Sequence, residues 1–225
     1  MIGTPRVHWR RTDSTNERAR ELASAGAPHG TLVTAGEQTA GRGRQGRAWN
    51  APPGSAVLMS VVLRDFDELL PLAAAVATCD AVPLDCMIKW PNDVWAGERK
   101  LAGILAEARP QEGWAVLGIG LNVTTDEFPP ELRDIATSLR LEGASADSET
   151  VLQGLLAALE RRLGEGAESI LPAWRERDAL KGRQVRWSGG EGIAAGIDDS
   201  GALQVQTDDG LVTLEAGEVH LERPN

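Results

Sequence analysis

Residues 41–54 read GRGRQGRAWNAPPG, and the fold class turns on whether this stretch opens a helix. Gly41, Gly43 and Gly46 have the spacing of the dinucleotide fingerprint G-x-G-x-x-G, which needs a strand before it and a helix after it. The strand is present, since HGTLVTA (29–35) is β-branched and apolar. The helix is not. Pro52 and Pro53 follow within a few residues, and prolines in series break helices. The arginines at the intervening positions 42 and 44 would also crowd a tight turn. The doubly wound dinucleotide fold is therefore set aside, and the stretch reads as a loop. Its glycines let the backbone approach a ligand closely, and its arginines present planar, permanently charged forks of donors. Little in it favours order in isolation, so the expectation is a lid that orders over a small phosphate or carboxylate.

An arginine-glycine segment can also bind nucleic acid, but here the motif occurs once, in a chain of formal charge -10 and pI ≈ 4.9. A net anionic surface repels a polyphosphate backbone. The 225 residues, 42% hydrophobic and 25% charged, suit one sizeable domain, or one with a small module. Cys79 and Cys86 read as buried thiols and not as a disulfide framework. No leader pattern stands at the N-terminus, and PLAAAVATC (71–79) is too short to span a bilayer; the expectation is a cytoplasmic protein with no membrane contact. His8, His29 and His220 are scattered, with no zinc spacing and no Ser/His/Asp set.

Outward from the loop, RVHWRR (6–11) alternates like a short strand. Ser14-Thr15-Asn16-Glu17 has the form of a capping box opening a helix that ends near Gly26. SAVLMSVVLR (55–64) and WAVLGIGLNV (114–123) read as buried strands. DELLPLAAAVATCDAV (67–82) is helical, with Asp67 as cap. CMIKW (86–90) is a strand, and Val94-Trp95 with LAGILAEA (101–108) flanks a hairpin turn. Val151, Leu152, Leu155, Leu156, Leu159 and Leu163 share one helical face, and a second helix is predicted over 167–180. From Gly182 the pattern changes to short alternating runs (QVRW, LQVQT, LVTL, VHLE) separated by turn signals, the mark of a small antiparallel barrel. The fold class is α+β: a mixed sheet with flanking helices over residues 1–180, and a C-terminal β module over 181–225.

Polar residues stand in unusual settings at Ser14-Thr15-Asn16, at Glu37-Gln38-Thr39 and in KWPND (89–93), where an apolar strand ends in lysine, tryptophan and a polar turn. They recur in RKLAGIL (99–105), where Lys100 opens a buried strand. DSTN (13–16), EQTAGRGRQGRAW (37–49), KWPND, RKLAGIL and GIGLN (118–122), in this order, resemble the biotin protein ligases, and the likeness covers essentially the whole chain. Leu58 and Ala51 depart from the tyrosine and serine common there.

The resemblance implies a class II synthetase-like fold with an SH3-like C-terminal module, and a form without the N-terminal helix-turn-helix of members that repress transcription. It implies that biotin and MgATP give biotinyl-5′-AMP, from which biotin passes to a lysine of a biotin carboxyl carrier domain. The enzyme would be a monomer or homodimer that does not act on DNA. By the family's motifs the biotin site would comprise Ser14, Thr15, Asn16, Gln38, Gly41, Arg42, Gly43, Arg44, Lys100 and Gly103. The ATP site would comprise Arg42, Arg44, Arg47, Trp49, Asn92, Asp93, Lys100 and Asn122. Arg44, Arg47 and Lys100 would be catalytic, because a carboxylate attacking an α-phosphate needs preorganised cations. Mg²⁺ is expected with ATP; its ligands are unknown, with Asp93 a candidate. The alternatives are a lipoate ligase, which shares the fold, and a non-catalytic biotin-binding regulator.

Overall fold

The strand-forming runs of the first 123 residues combine into one seven-stranded mixed sheet in the computed structural model, which describes residues 1–221. The strands are β1 (Arg6–Trp9), β2 (Leu32–Ala35), β3 (Ala56–Leu63), β4 (Cys86–Lys89), β5 (Asp93–Ala96), β6 (Arg99–Arg109) and β7 (Trp114–Asn122). Their order across the sheet is β1-β2-β3-β7-β6-β5-β4. Among these seven strands β1 and β2 pair in parallel, joined through helix α1 (Thr15–Ser24), and the other strand pairs are antiparallel.

All eight residues of β3 are buried because both faces of the sheet are covered. Val57, Met59, Val61 and Leu63 enter the main core with α2 (Leu70–Ala81), α3 (Ser148–Arg162) and α4 (Ala167–Arg175). Val62 faces the other way, into a small cluster with Ala19 and Ala23 of α1. That alternation puts Ser60 on the α1 side, under the helix that carries Thr15 and Asn16. Pro71 falls in the first turn of α2, where a missing N–H costs nothing; the helix starts at Leu70 with Leu69 as N-cap and not the expected Asp67, whose carboxylate accepts from the Leu69 N–H at 2.9 Å ahead of the helix.

Three further expectations are corrected. Ser14 does occupy the N-cap of α1, but its hydroxyl makes no capping bond. Glu17 turns instead to Arg42 (3.1 Å) and Arg20 (3.3 Å). The second helix stops at Arg175, short of Leu180. The Ile88 N–H donates to Arg177 O (2.6 Å) and the Ala179 N–H to Ile88 O (2.9 Å), so the chain leaves the helix to pair beside β4. The third is a strand the sequence hides, Gly190–Ile197. It reads GEGIAAGI, and its glycines remove the β-branched signal; at Gly192 a Cβ would lie 2.4 Å from Gln206 O.

With that strand as β9, the C-terminal module is a five-stranded antiparallel sheet of the SH3-like kind. Its other members are β8 (Gln184–Trp187), β10 (Leu203–Thr207), β11 (Gly210–Leu214) and β12 (His220–Leu221), in the order β11-β10-β9-β8-β12. Glu222 of the VHLE run and residues 223–225 lie outside the described residues. Val185, Ala194, Leu203 and Val205 join the same core as α2 and α3, and Trp90 Nε1 donates to Gly201 O at 3.0 Å. Cys79 and Cys86 are buried free thiols, as expected. Among the described residues no helix is long and apolar enough to cross a membrane.

Candidate active site

The glycine-arginine loop lies over the sheet where β6 and β7 carry glycines. The Gly43 N–H donates to Arg47 O (2.7 Å) and the Trp49 N–H to Gly41 O (2.9 Å), so the loop closes on itself. A tight turn over Arg44–Gly46, with Gln45 (φ 55°) and Gly46 (φ 76°) in left-handed backbone, makes the reversal. The Trp49 indole then lies against bare backbone. A Cβ at Gly120 would come within 2.4 Å of its ring and one at Gly103 within 3.0 Å. Gly41 lies behind the loop, where a Cβ would meet Trp49 O at 2.3 Å, so its contribution is room for the fold-back.

Two recesses open beneath. The inner one, about 110 Å³, is lined by Ser14, Thr15, Asn16, Gln38, Arg42, Gly43 and Gly103 among others. Its polar wall is built at the start of α1. Asp13 accepts from the Ser14 N–H (2.7 Å) and from Arg18 (2.8 Å), and these bonds, the Ser14 one first, hold its carboxyl down at about 2. Gln38 Oε1 receives the Thr15 N–H (2.6 Å) and hydroxyl (3.1 Å). Ser60 reaches Thr15 Oγ1 (2.8 Å) and Asn16 Oδ1 (2.6 Å), while Asn16 Nδ2 donates to Glu107 Oε2 (2.8 Å). At Gly118 a Cβ would stand 1.9 Å from Asn16 Oδ1, so β7 must be bare there.

The outer recess, about 830 Å³, is lined by Asp93, Asn122, Lys89 and, from the C-terminal module, Glu218 and His220. Arg44, Arg47, Trp49, Asn92 and Lys100 line both recesses. Lys100 Nζ is 2.7 Å from Asp93 Oδ1 and 5.5 Å from the Trp49 ring centroid. Burial, and then the charge of Arg47, push the Arg44 pKa down, and burial does the same to Lys89. Both effects are those of cations held without full hydration. Arg47 is paired with Glu218. Asn92 donates to Ile104 O (2.7 Å) and Asn122 to Thr137 O (2.9 Å), so each also fastens a strand or loop at the rim.

The residues expected at the biotin and ATP sites therefore gather at one place, with Gly41 as backing, whereas Glu37 and Thr39 line neither recess. Ser60, Glu107 and Glu218 belong to the candidate site and were not foreseen, and Gly118 and Gly120 stood in the GIGLN motif without an assigned role. Glu107 had a signal, as the one acid within LAGILAEA (101–108). Among the described residues no three His, Cys, Asp or Glu side chains converge as a metal site. Half-buried cations at the junction of a small polar recess and a wider cleft suit the meeting of two anions, one in each.

Comparison with known proteins agrees with this geometry. Residues 9–123 match the Biotin/lipoate A/B protein ligase family, and residues 182–221 match the Biotin protein ligase C terminal domain. The chain is 39% identical to the biotin–[acetyl-CoA-carboxylase] ligase of Mycobacterium tuberculosis, over 94% of this chain and 89% of that one. It is 37% identical to the bifunctional ligase/repressor BirA of Bacillus spizizenii, over 98% of this chain and 75% of that one. It superimposes with a TM-score of 0.84 and 28% identity on the biotin protein ligase from Aquifex aeolicus in complex with biotin and ATP, covering 98% of this chain and 100% of that one.

Proposed function

Because the chain belongs to the Biotin/lipoate A/B protein ligase family, we propose that it activates biotin with ATP and transfers it to a lysine of a biotin carrier domain. In the first step a biotin carboxylate oxygen attacks the α-phosphorus of ATP. The bond to the bridging oxygen of pyrophosphate breaks, giving biotinyl-5′-AMP. In the second, a neutral lysine amine attacks the acyl carbon, an amide forms, the acyl C–O bond breaks and AMP leaves.

The observation that carries this reading is that Arg44 and Lys100 line both recesses. A carboxylate held in one and a phosphate in the other would meet at these two charges. Preorganised cations at such a point lower a barrier by an amount that one side chain's removal reveals as about 10²–10³ in rate. Ser14, Thr15, Asn16, Gln38, Arg42, Gly43 and Gly103 would hold the ureido ring, whose donors and acceptors are costly to bury unpaired. Trp49, Asn92, Asp93, Asn122 and Arg47 would hold the nucleotide. Trp49 Nε1, buried without a partner among the described residues, is a donor suited to a ligand acceptor. Residues 1–180 would carry this machinery, with 181–225 walling the outer recess.

Mg²⁺ usually arrives on phosphates with one or two carboxylates and several waters. The donor set fits that mode, since Asp93 is the acid beside Lys100 in the cleft. Bound there, the ion would neutralise phosphate charge. The glycine-arginine loop would act as a lid, and a chain of charge -10 should give no specific DNA complex in a gel shift.

The deciding experiment is ATP–pyrophosphate exchange, with biotin and lipoate in parallel. Exchange that depends on biotin supports the reading. Exchange with lipoate alone would transfer the protein to the other branch of the family.

A further inference from the structure

Arg44 and Asn92 line a third recess as well. It holds about 540 Å³ and lies between the start of α2 and the Trp90-Pro91 turn on one side and the 200–202 turn of the small sheet on the other. Three separate recesses thus share one junction. The reaction inferred above has three substrates, biotin, ATP and an amine, and the first two recesses account for two of them.

The third recess has a distinct lining. Leu72, Trp90, Pro91 and Ala202 give it apolar walls, and Glu68 and Glu215 contribute carboxylates. Both acids are exposed, so they stand on the solvent side, whereas Arg44 is half-buried at the inner end. Neither acid is paired with a cation among the described residues. A lysine side chain has the complementary form: four methylenes that favour apolar walls and an ammonium that favours a carboxylate.

We propose that this recess is the port by which the acceptor lysine reaches the activated carboxyl, with Glu68 and Glu215 as positioning residues that gather its ammonium at the mouth. The inference rests on the ligase reading. The two ends of the recess have opposite effects on the amine. At the mouth, the carboxylates favour the charged form. At the inner end, apolar walls and the Arg44 charge disfavour it, so the proton is released to solvent as the side chain advances. The neutral nitrogen then attacks the acyl carbon. The C–N bond forms, the acyl C–O bond to phosphate breaks, AMP departs, and the remaining displaced amine proton goes to solvent.

The test separates the two half-reactions. The Glu68→Gln/Glu215→Gln double variant should retain biotin-dependent pyrophosphate exchange, because neither acid touches the inner or outer recess. In transfer to a purified carrier domain, its KM should rise about tenfold with kcat little changed, as expected for two exposed charge contacts. Its kcat/KM should also vary less with salt than that of the wild type. The Glu68→Lys/Glu215→Lys variant should raise KM further, which loss of shape alone would not do. A Gln variant with wild-type KM, or a Lys variant no worse than the Gln variant, overturns the port. Absence of biotin-dependent exchange in the wild-type protein would instead overturn the ligase reading itself.

Discussion

A methyl group at Gly118 would stand 1.9 Å from Asn16 Oδ1, and Asn16 can make room only by breaking its bonds to Ser60 and Glu107. Gly118→Ala should therefore push Asn16 out of the inner recess. Losing one or two hydrogen bonds of about 1 kcal/mol each predicts a biotin KM raised roughly tenfold or more in pyrophosphate exchange; an unchanged KM would detach Asn16 from biotin. Lys100 gives a second, sharper expectation. Its ammonium is 2.7 Å from Asp93 at the junction of the two main recesses. Lys100→Met should slow exchange about 10²–10³-fold, with a cooperative melt retained because Lys100 is only partly buried. A folded variant with near wild-type exchange would remove Lys100 from the chemistry. Residues of this kind are legible in sequence because they break a pattern: lysine opening a buried strand, arginines among glycines, three polar residues after a strand. Ser60 is not, and the role of Gly118 is not, although GIGLN contains it. A small residue inside a buried strand reads the same whether it fills a gap or supports a ligand's neighbour.

At the scale of elements, strand and helix positions follow the apolar periodicity closely, and the departures have local causes. β9 escapes notice because close approach to Gln206 demands glycine where a strand would otherwise show branched residues. The end of α4 is set by pairing with Ile88, a contact distant in sequence that no local pattern announces. Asp178 fixes the turn that follows, its Oδ1 accepting from the Leu180 N–H (2.8 Å) and Lys181 N–H (3.2 Å). Its Oδ2 is buried without a hydrogen-bond partner among the described residues, and burial pushes the carboxyl pKa up. A folded-state pKa above the unfolded one means that the protonated form favours folding. The penalty is therefore absent below the unfolded value and grows as pH rises through the folded value. Asp178→Asn keeps the accepting oxygen and removes the charge. At pH 7 it should melt higher by about 2–4 °C, corresponding to roughly 1 kcal/mol, and this gain should vanish below about pH 4, where the aspartic acid is itself neutral. Melts of the two proteins across that range check it; a gain that persists in acid would exclude the charge as its cause.

Across the whole molecule, the change of pattern near residue 182 marks a change of sheet but not a break in the core. Val185, Ala194, Leu203 and Val205 of the small sheet belong to the same buried cluster as Leu72, Val76 and Leu155. Trp90 binds Gly201 O, Arg183 pairs with Glu98 at 2.7 Å, and Arg47 of the loop pairs with Glu218. Removing the small sheet would expose apolar surface on both parts, so neither should unfold alone. For 225 residues the unfolding enthalpy near 60 °C should be roughly 160 kcal/mol in one calorimetric transition, with the van't Hoff value in agreement. Ligands sharpen the test. Biotin alone, at about a hundred times its dissociation constant, should add roughly 2.7 kcal/mol and raise the melting temperature by about 5–10 °C. In a single cooperative unit that shift moves the entire peak, including the part of the enthalpy that belongs to the small sheet, although the inner recess takes no residue from it. Two peaks, of which ligand moves only the larger, would mean that the shared core does not couple the sheets, and that residues 1–180 hold the machinery as a unit of their own.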